Sequence, residues 1–116
     1  MRTALLAAAL LASPAWAGGD AARGERLYQG CEDCHSLDEN DIGPRHRGVY
    51  GRKAGSLADY HYSAALKNAS FVWDEATLDK WLAGPRDFLP GAKMRYHLED
   101  AKDRADVIEF LKTRAR

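Results

Sequence analysis

The chain has 116 residues, with 17 Lys and Arg against 17 Asp and Glu and 46% hydrophobic residues, so its formal charge at neutral pH is zero. A balanced charge argues against nucleic acid as a partner, which calls for a basic patch or stripe. No internal repeat and no low-complexity stretch follows residue 17, which argues against a repeat array.

Residues 1–17 read as a cleaved secretory signal. Arg2 supplies the positive end, Ala4 to Ala12 an apolar stretch, and Ala15-Trp16-Ala17 a small-x-small cleavage site. The apolar stretch is too short to span a bilayer comfortably, and Pro14 with the cleavage site follows at once, which argues against a retained anchor. Cleavage after Ala17 leaves 99 residues, 18–116, with 16 basic side chains against 17 acidic ones once Arg2 is gone. That length makes one small domain, near the size at which an apolar core alone gives limited stability. Export predicts a periplasmic location.

The first segment of the domain predicts a helix. Asp20 is a suitable N-cap, and Gly24, Leu27, Tyr28 and Cys31 recur at the spacing of one helix face. Glycine within that face predicts close approach of a backbone or ring, although a tolerated surface glycine fits the spacing equally. The helix delivers Cys31-Glu32-Asp33-Cys34-His35. A C-x-x-C-H run is the attachment sequence of c-type haem: two thiols add across the porphyrin vinyl groups and the adjacent imidazole ligates iron. Three other readings exist. A disulfide is one, a thioredoxin-like redox pair asks for an α/β pattern that is missing here, and a closed zinc site asks for a fourth ligand at conventional spacing. Periplasmic export also suits haem attachment.

From Ser36 to about Tyr62 the chain is polar and turn-rich, punctuated by Gly43-Pro44, Gly48, Gly51 and Gly55, and predicts loop. Its basic residues Arg45, Arg47, Arg52 and Lys53 fit a solvated face or an acidic partner equally. Ser63 caps a short helix that stops near Asn68. A firmer helix follows, with Asp74 as N-cap, Trp73 and Leu78 as a hydrophobic staple, Leu78, Trp81 and Leu82 as its apolar face, and Gly84-Pro85 as its end. Trp73 and Trp81 fit a cofactor pocket or an ordinary aromatic core. Residues 88–94 show no periodicity and predict extended loop. The last helix carries Glu99, Asp100 and Asp103 at its start, Lys112, Arg114 and Arg116 at its end, and Val107, Ile108, Phe110 and Leu111 on its apolar face. The helix around Gly24 and Tyr28 is the obvious surface for it to bury against. With no strand pattern, the domain reads as all-α, three to five helices around one haem.

An electron-transferring haem iron with His on one side needs a second axial ligand. A thioether is neutral and soft, favours ferrous iron and raises the potential. The chain has two methionines, and Met1 belongs to the signal, so Met94 is the thioether candidate. His46, His61 and His97 are its rivals.

In order, Cys-x-x-Cys-His, Gly43-Pro44, Gly51-Arg52-Lys53, Trp73, Pro90-Gly91-x-Lys93-Met94 and Ala105-Asp106-Val107-Ile108-x-Phe110-Leu111 span essentially the whole domain. This series resembles class I cytochrome c, of the mitochondrial or bacterial cytochrome c2 type. The resemblance implies that Cys31 and Cys34 form the haem thioethers and that His35 and Met94 are the axial iron ligands. It further implies that the Pro44 carbonyl receives the proximal imidazole N–H, that Tyr62 and Trp73 with Arg52 nearby bond a propionate, and that Gly24 and Tyr28 meet Val107 and Phe110. Three positions depart from the pattern. Ala92 stands where Thr is usual, Trp81 where a Tyr commonly bonds the Met sulfur, and Leu66 where an Asn often joins a buried water network, which predicts a drier Met side. An indole N–H donates and cannot accept. The basic ring expected around the haem edge is also thin, reduced to Arg45, Arg86, Lys93 and Arg95.

The function expected is that of a soluble monomeric carrier of one electron, shuttling between a quinol-oxidising cytochrome complex and an oxidase, peroxidase or photosynthetic reaction centre. It would dock transiently at the exposed haem edge and meet membranes only through membrane-bound redox complexes. Two other functions compete: a displaceable Met94 for gas binding or peroxidatic chemistry, and an electron-accepting subunit of a dedicated periplasmic dehydrogenase.

Overall fold

The computed structural model of the protein describes residues 3–5 and 18–116. Apart from Thr3, Ala4 and Leu5, the expected signal segment lies outside the described residues. Among the described residues five α-helices follow in order: α1 (Ala21–Tyr28), α2 (Ala64–Lys67), α3 (Glu75–Ala83), α4 (Pro85–Phe88) and α5 (Ala101–Thr113). Among the described residues the only β pairing is an isolated bridge between Lys53 and Val72. No described helix is long and apolar enough to cross a membrane.

Each longer helix starts where an acidic side chain can cap it. Asp20 accepts from Arg23 N–H, Asp100 from Lys102 and Asp103, and Asp74 forms a reciprocal box with Thr77. These side chains satisfy amide donors that have no partner within the helix. Ser63 does the same for α2 through Leu66 N–H. Two boundaries differ from the sequence expectation. After α1 the chain tightens into a 3-10 turn over Gln29–Cys31, a common way for a helix to end. After Gly84 a further short helix, α4, begins with Pro85 at its first position, where the missing N–H costs nothing. Phe88 therefore ends a helix, and the extended loop starts at Leu89.

The principal contact is between α1 and α5. Gly24 permits it: a Cβ there would collide with the carbonyl oxygen of Asp106 and stand 2.9 Å from the Phe110 Cβ. The predicted close approach is therefore real. Beside it Tyr28 packs on Phe110 with ring centroids 5.1 Å apart. The Asp106 carboxylate, 1% exposed, accepts from Asp20 N–H at 2.8 Å, Arg23 Nη1 at 2.8 Å and Lys102 Nζ at 3.0 Å. Helix α3 is fastened to α5 by Arg104 on Asp79 at 2.7 Å and Lys112 on Glu75 at 2.8 Å. Val107, Ile108, Phe110 and Leu111 are buried as the periodicity predicts.

Candidate functional site

The motif cysteines lie just beyond α1. The amides of Cys34 and His35 both donate to the Cys31 carbonyl, at 3.2 and 2.9 Å, so the five residues close into one turn. Neither cysteine is in a disulfide; Cys31 is half-buried and Cys34 exposed. Burial pushes the Cys31 thiol up to about 11, with Glu32 and Cys34 adding to the shift. A thiol so protonated at neutral pH is a poor nucleophile, which disfavours a thioredoxin-like pair. Among the described residues no cluster of His, Cys, Asp and Glu suited to a metal ion gathers here, so the zinc reading lacks its cage.

His35 is aimed by the loop that follows it. Gly43 N–H donates to Cys34 O at 2.7 Å, His46 N–H to Ser36 O at 2.9 Å and Arg47 N–H to Leu37 O at 2.8 Å, so residues 43–47 are stitched alongside 34–37. That register brings the Pro44 carbonyl to 2.8 Å from His35 Nδ1. A neutral imidazole meets a carbonyl only as a donor, so Nδ1 carries the proton and Nε2 keeps its lone pair for a metal. Burial holds His35 below the usual histidine range, against the opposing pull of the Pro44 bond and Asp41. Neutrality is what a ligand needs. The contact requires Gly43: a Cβ would stand 2.6 Å from both ring nitrogens.

Behind His35 lies His46, which the sequence offers as a surface or hydrogen-bonding histidine, as a rival ligand, or as a group assisting peroxidatic chemistry. The His46 ring stacks on His35, centroids 3.9 Å apart and planes 20° from parallel, and its Nδ1 is 2.9 Å from the Tyr28 hydroxyl. Burial, with His35 and Arg52 adding, pushes His46 well below the usual histidine range, so it is neutral. Two imidazoles ligating one iron from opposite faces stand end-on with the metal between them and cannot stack. His46 is thus excluded as the ligand opposite His35, and it is equally misplaced for acid–base work there. The remaining rivals are exposed: His97 lies by Glu99, Nε2 to Oε1 3.7 Å, and His61 lines a cavity of about 240 Å³ with Tyr60, Tyr62 and Lys67.

Met94 is half-buried against the core, on the loop after α4. Gly91 shapes that loop with a φ of +94°, in the region glycine favours, and Ala92 behind it is buried. Gly91 also faces α2, its Cβ position 3.2 Å from the Ala65 Cβ. Leu98 N–H donates to Leu82 O at 2.8 Å and returns the chain to α3. Trp73 and Trp81 are both buried and meet edge to face at 5.3 Å. Arg52 Nη1 and Nη2 donate to the carbonyls of Arg45 and Arg47 at 2.9 and 2.6 Å, and Tyr62 accepts from Leu57 N–H at 3.2 Å, keeping its own proton to donate.

These residues fit a covalently held haem. Two unpaired thiols stand beside an imidazole with one nitrogen free, while Leu27, Leu37, Leu66, Phe88, Leu89, Met94 and Leu98 come from separate segments as half-buried apolar side chains around the core. Of the thin basic set, Arg45 is neutralised by Asp59 at 2.6 Å, while Arg86, Lys93 and Arg95 are exposed.

The sequence pattern of the family described as Cytochrome c matches residues 21–115. The chain is 42% identical to a cytochrome c2 of Rhodomicrobium vannielii over 97% of its own length and 94% of the relative's. It is 42% identical to a cytochrome c of Euglena viridis, covering 82% of this chain and 97% of that one. The solved structure of cytochrome cH from Methylobacterium extorquens superposes with a TM-score of 0.79 at 45% identity, over 82% of this chain and 99% of that one.

Proposed function

The chain belongs to the cytochrome c family, and from that premise we propose that it is a soluble periplasmic one-electron carrier whose haem iron is held by His35 and Met94. The family brings its cofactor: one haem c, covalently attached, with its iron. When bound, that group supplies a one-electron iron couple whose potential the axial ligands and their surroundings set.

The chain's own residues do the rest. Cys31 and Cys34 tether the ring, so that it stays with the protein through every turnover. His35 presents Nε2, held in direction and tautomer by the Pro44 carbonyl. Met94 offers a neutral, soft sulfur that favours the reduced state. Apolar neighbours keep water away, so little solvent must rearrange as charge changes. Tyr62, Trp73 and Arg52 would anchor the propionates, Trp81 offers the Met side an N–H that can only donate, and a redox partner would dock transiently at the exposed haem edge. The observation that carries this reading is the His35–Pro44 bond beside two free thiols. The partners belong to the class family members serve: a quinol-oxidising complex as donor, and an oxidase, peroxidase or reaction centre as acceptor.

The test is a spectroscopic redox titration of the haem-loaded protein beside Met94→Ala. A low-spin haem whose high potential falls sharply in the variant is the expected result. An unchanged spectrum and potential would overturn Met94 as the ligand. N-terminal sequencing of the exported protein should begin at Gly18, and any later or uncut terminus would overturn the signal boundary.

A further inference from the structure

We propose that His46 is a positioning residue for the iron-binding imidazole, coupling the α1–α5 helix pair to the orientation of His35. The inference rests on the His35 ligation proposed above. A single bond from Nδ1 to the Pro44 carbonyl fixes one edge of the His35 ring but restrains the tilt of its plane only loosely. A flat partner against the ring face removes that freedom. His46 is that partner, at 3.9 Å and 20°.

His46 is itself held at two points. Its backbone amide donates to Ser36 O at 2.9 Å, and its ring Nδ1 lies 2.9 Å from the Tyr28 hydroxyl. Tyr28 in turn is 3% exposed, packs on Phe110 of α5, and meets His46 edge-on at 5.6 Å. A continuous chain of contacts therefore runs from Phe110 through Tyr28 and His46 to His35. Gly43 closes the site from its own side, since nothing larger fits between it and the ring. An aliphatic side chain at position 46 would fill the space without presenting a flat face or a bond to Tyr28. The polar ring is therefore not needed for packing alone.

The orientation of an axial imidazole plane governs the magnetic anisotropy of low-spin ferric haem, so the proposal is read by electron paramagnetic resonance and by the hyperfine-shifted haem methyl resonances. Wild type, Tyr28→Phe, His46→Phe and His46→Leu are loaded with haem and compared. Tyr28→Phe keeps the stack and loses the bond, His46→Phe keeps a flat ring without the bond, and His46→Leu loses both. The expected result is a graded displacement of g values and methyl shifts, small and alike for the two Phe variants and larger for His46→Leu, with Met94 still bound. Wild-type signals in His46→Leu would overturn the proposal, as would a His46→Phe displacement as large as that of His46→Leu. Should His46→Leu not fold, wild-type signals in both Phe variants would overturn it, and matching displacements would support it. A wild type without a low-spin His/Met signature would overturn the ligation reading and this inference together, whereas a normal wild type with unresponsive variants overturns this inference alone.

Discussion

At the scale of single residues, the site is governed by how closely small groups approach the His35 ring. Gly43 is the sharpest case, because its replacement puts a methyl against both ring nitrogens. Gly43→Ala is expected to destabilise the fold by about 1–3 kcal/mol, the range for overpacking a close contact, and to perturb the haem spectrum as the ring is displaced. Thermal unfolding followed at the haem absorption checks both, and a variant with native melting and spectrum would mean that the loop relaxes without cost. The haem-attachment reading of Cys31, Cys34 and His35 comes from the sequence alone, because that chemistry is written in adjacent positions. Gly43 and His46 were legible only as a loop glycine and one histidine among four, since their role arises when residues 43–47 are laid along 34–37.

At the scale of elements, the α1–α5 contact joins the two ends of the domain around a buried charge. The bonds from Asp20 N–H, Arg23 and Lys102 outweigh the cost of burial and hold the Asp106 carboxyl below the usual carboxylate range. Its contribution is therefore fully present above the unfolded-state value, about pH 4, and is lost as pH falls through the lower folded value. Asp106→Asn is expected to cost about 2 kcal/mol at pH 7, the worth of a hydrogen bond to a charged group. Chemical denaturation at pH 7 and pH 3 checks it: the gap between variant and native protein should shrink at the lower pH, and a constant gap would show that the charge is not the cause. Helix caps and apolar faces were readable because they follow local rules of spacing and hydrogen bonding. The short α4 was missed because Gly84-Pro85 signals the end of one helix and the start of the next with the same residues.

At the scale of the whole molecule, charge decides how the carrier meets its partners. With Arg45 paired to Asp59, the basic set is reduced to Arg86, Lys93 and Arg95, against exposed Glu32 and Asp33 within the motif itself. Electron exchange with an acidic partner should therefore slow only modestly as salt rises, because few charges steer the encounter. The double variant Arg86→Glu, Lys93→Glu is expected to lower the second-order rate about tenfold at low salt, with the difference closing near 0.5 M salt as charges are screened. Stopped-flow reduction across that range measures it, and a rate indifferent to the double change would place docking elsewhere.

By itself the sequence determined the cofactor attachment, the all-α class, the helix caps and the pairing of a glycine-bearing first helix with the apolar last one. Each of these depends on residues close together in the chain or on a strong periodicity, so local chemistry suffices to read it. Only the tertiary structure decided which histidine lies behind His35, that Gly43 must be small, that Arg45 is already paired and that Asp106 is a buried ionic centre. Those facts depend on which distant segments fold against one another, and a side chain's partner across such a contact leaves no mark in the spacing of its own neighbours.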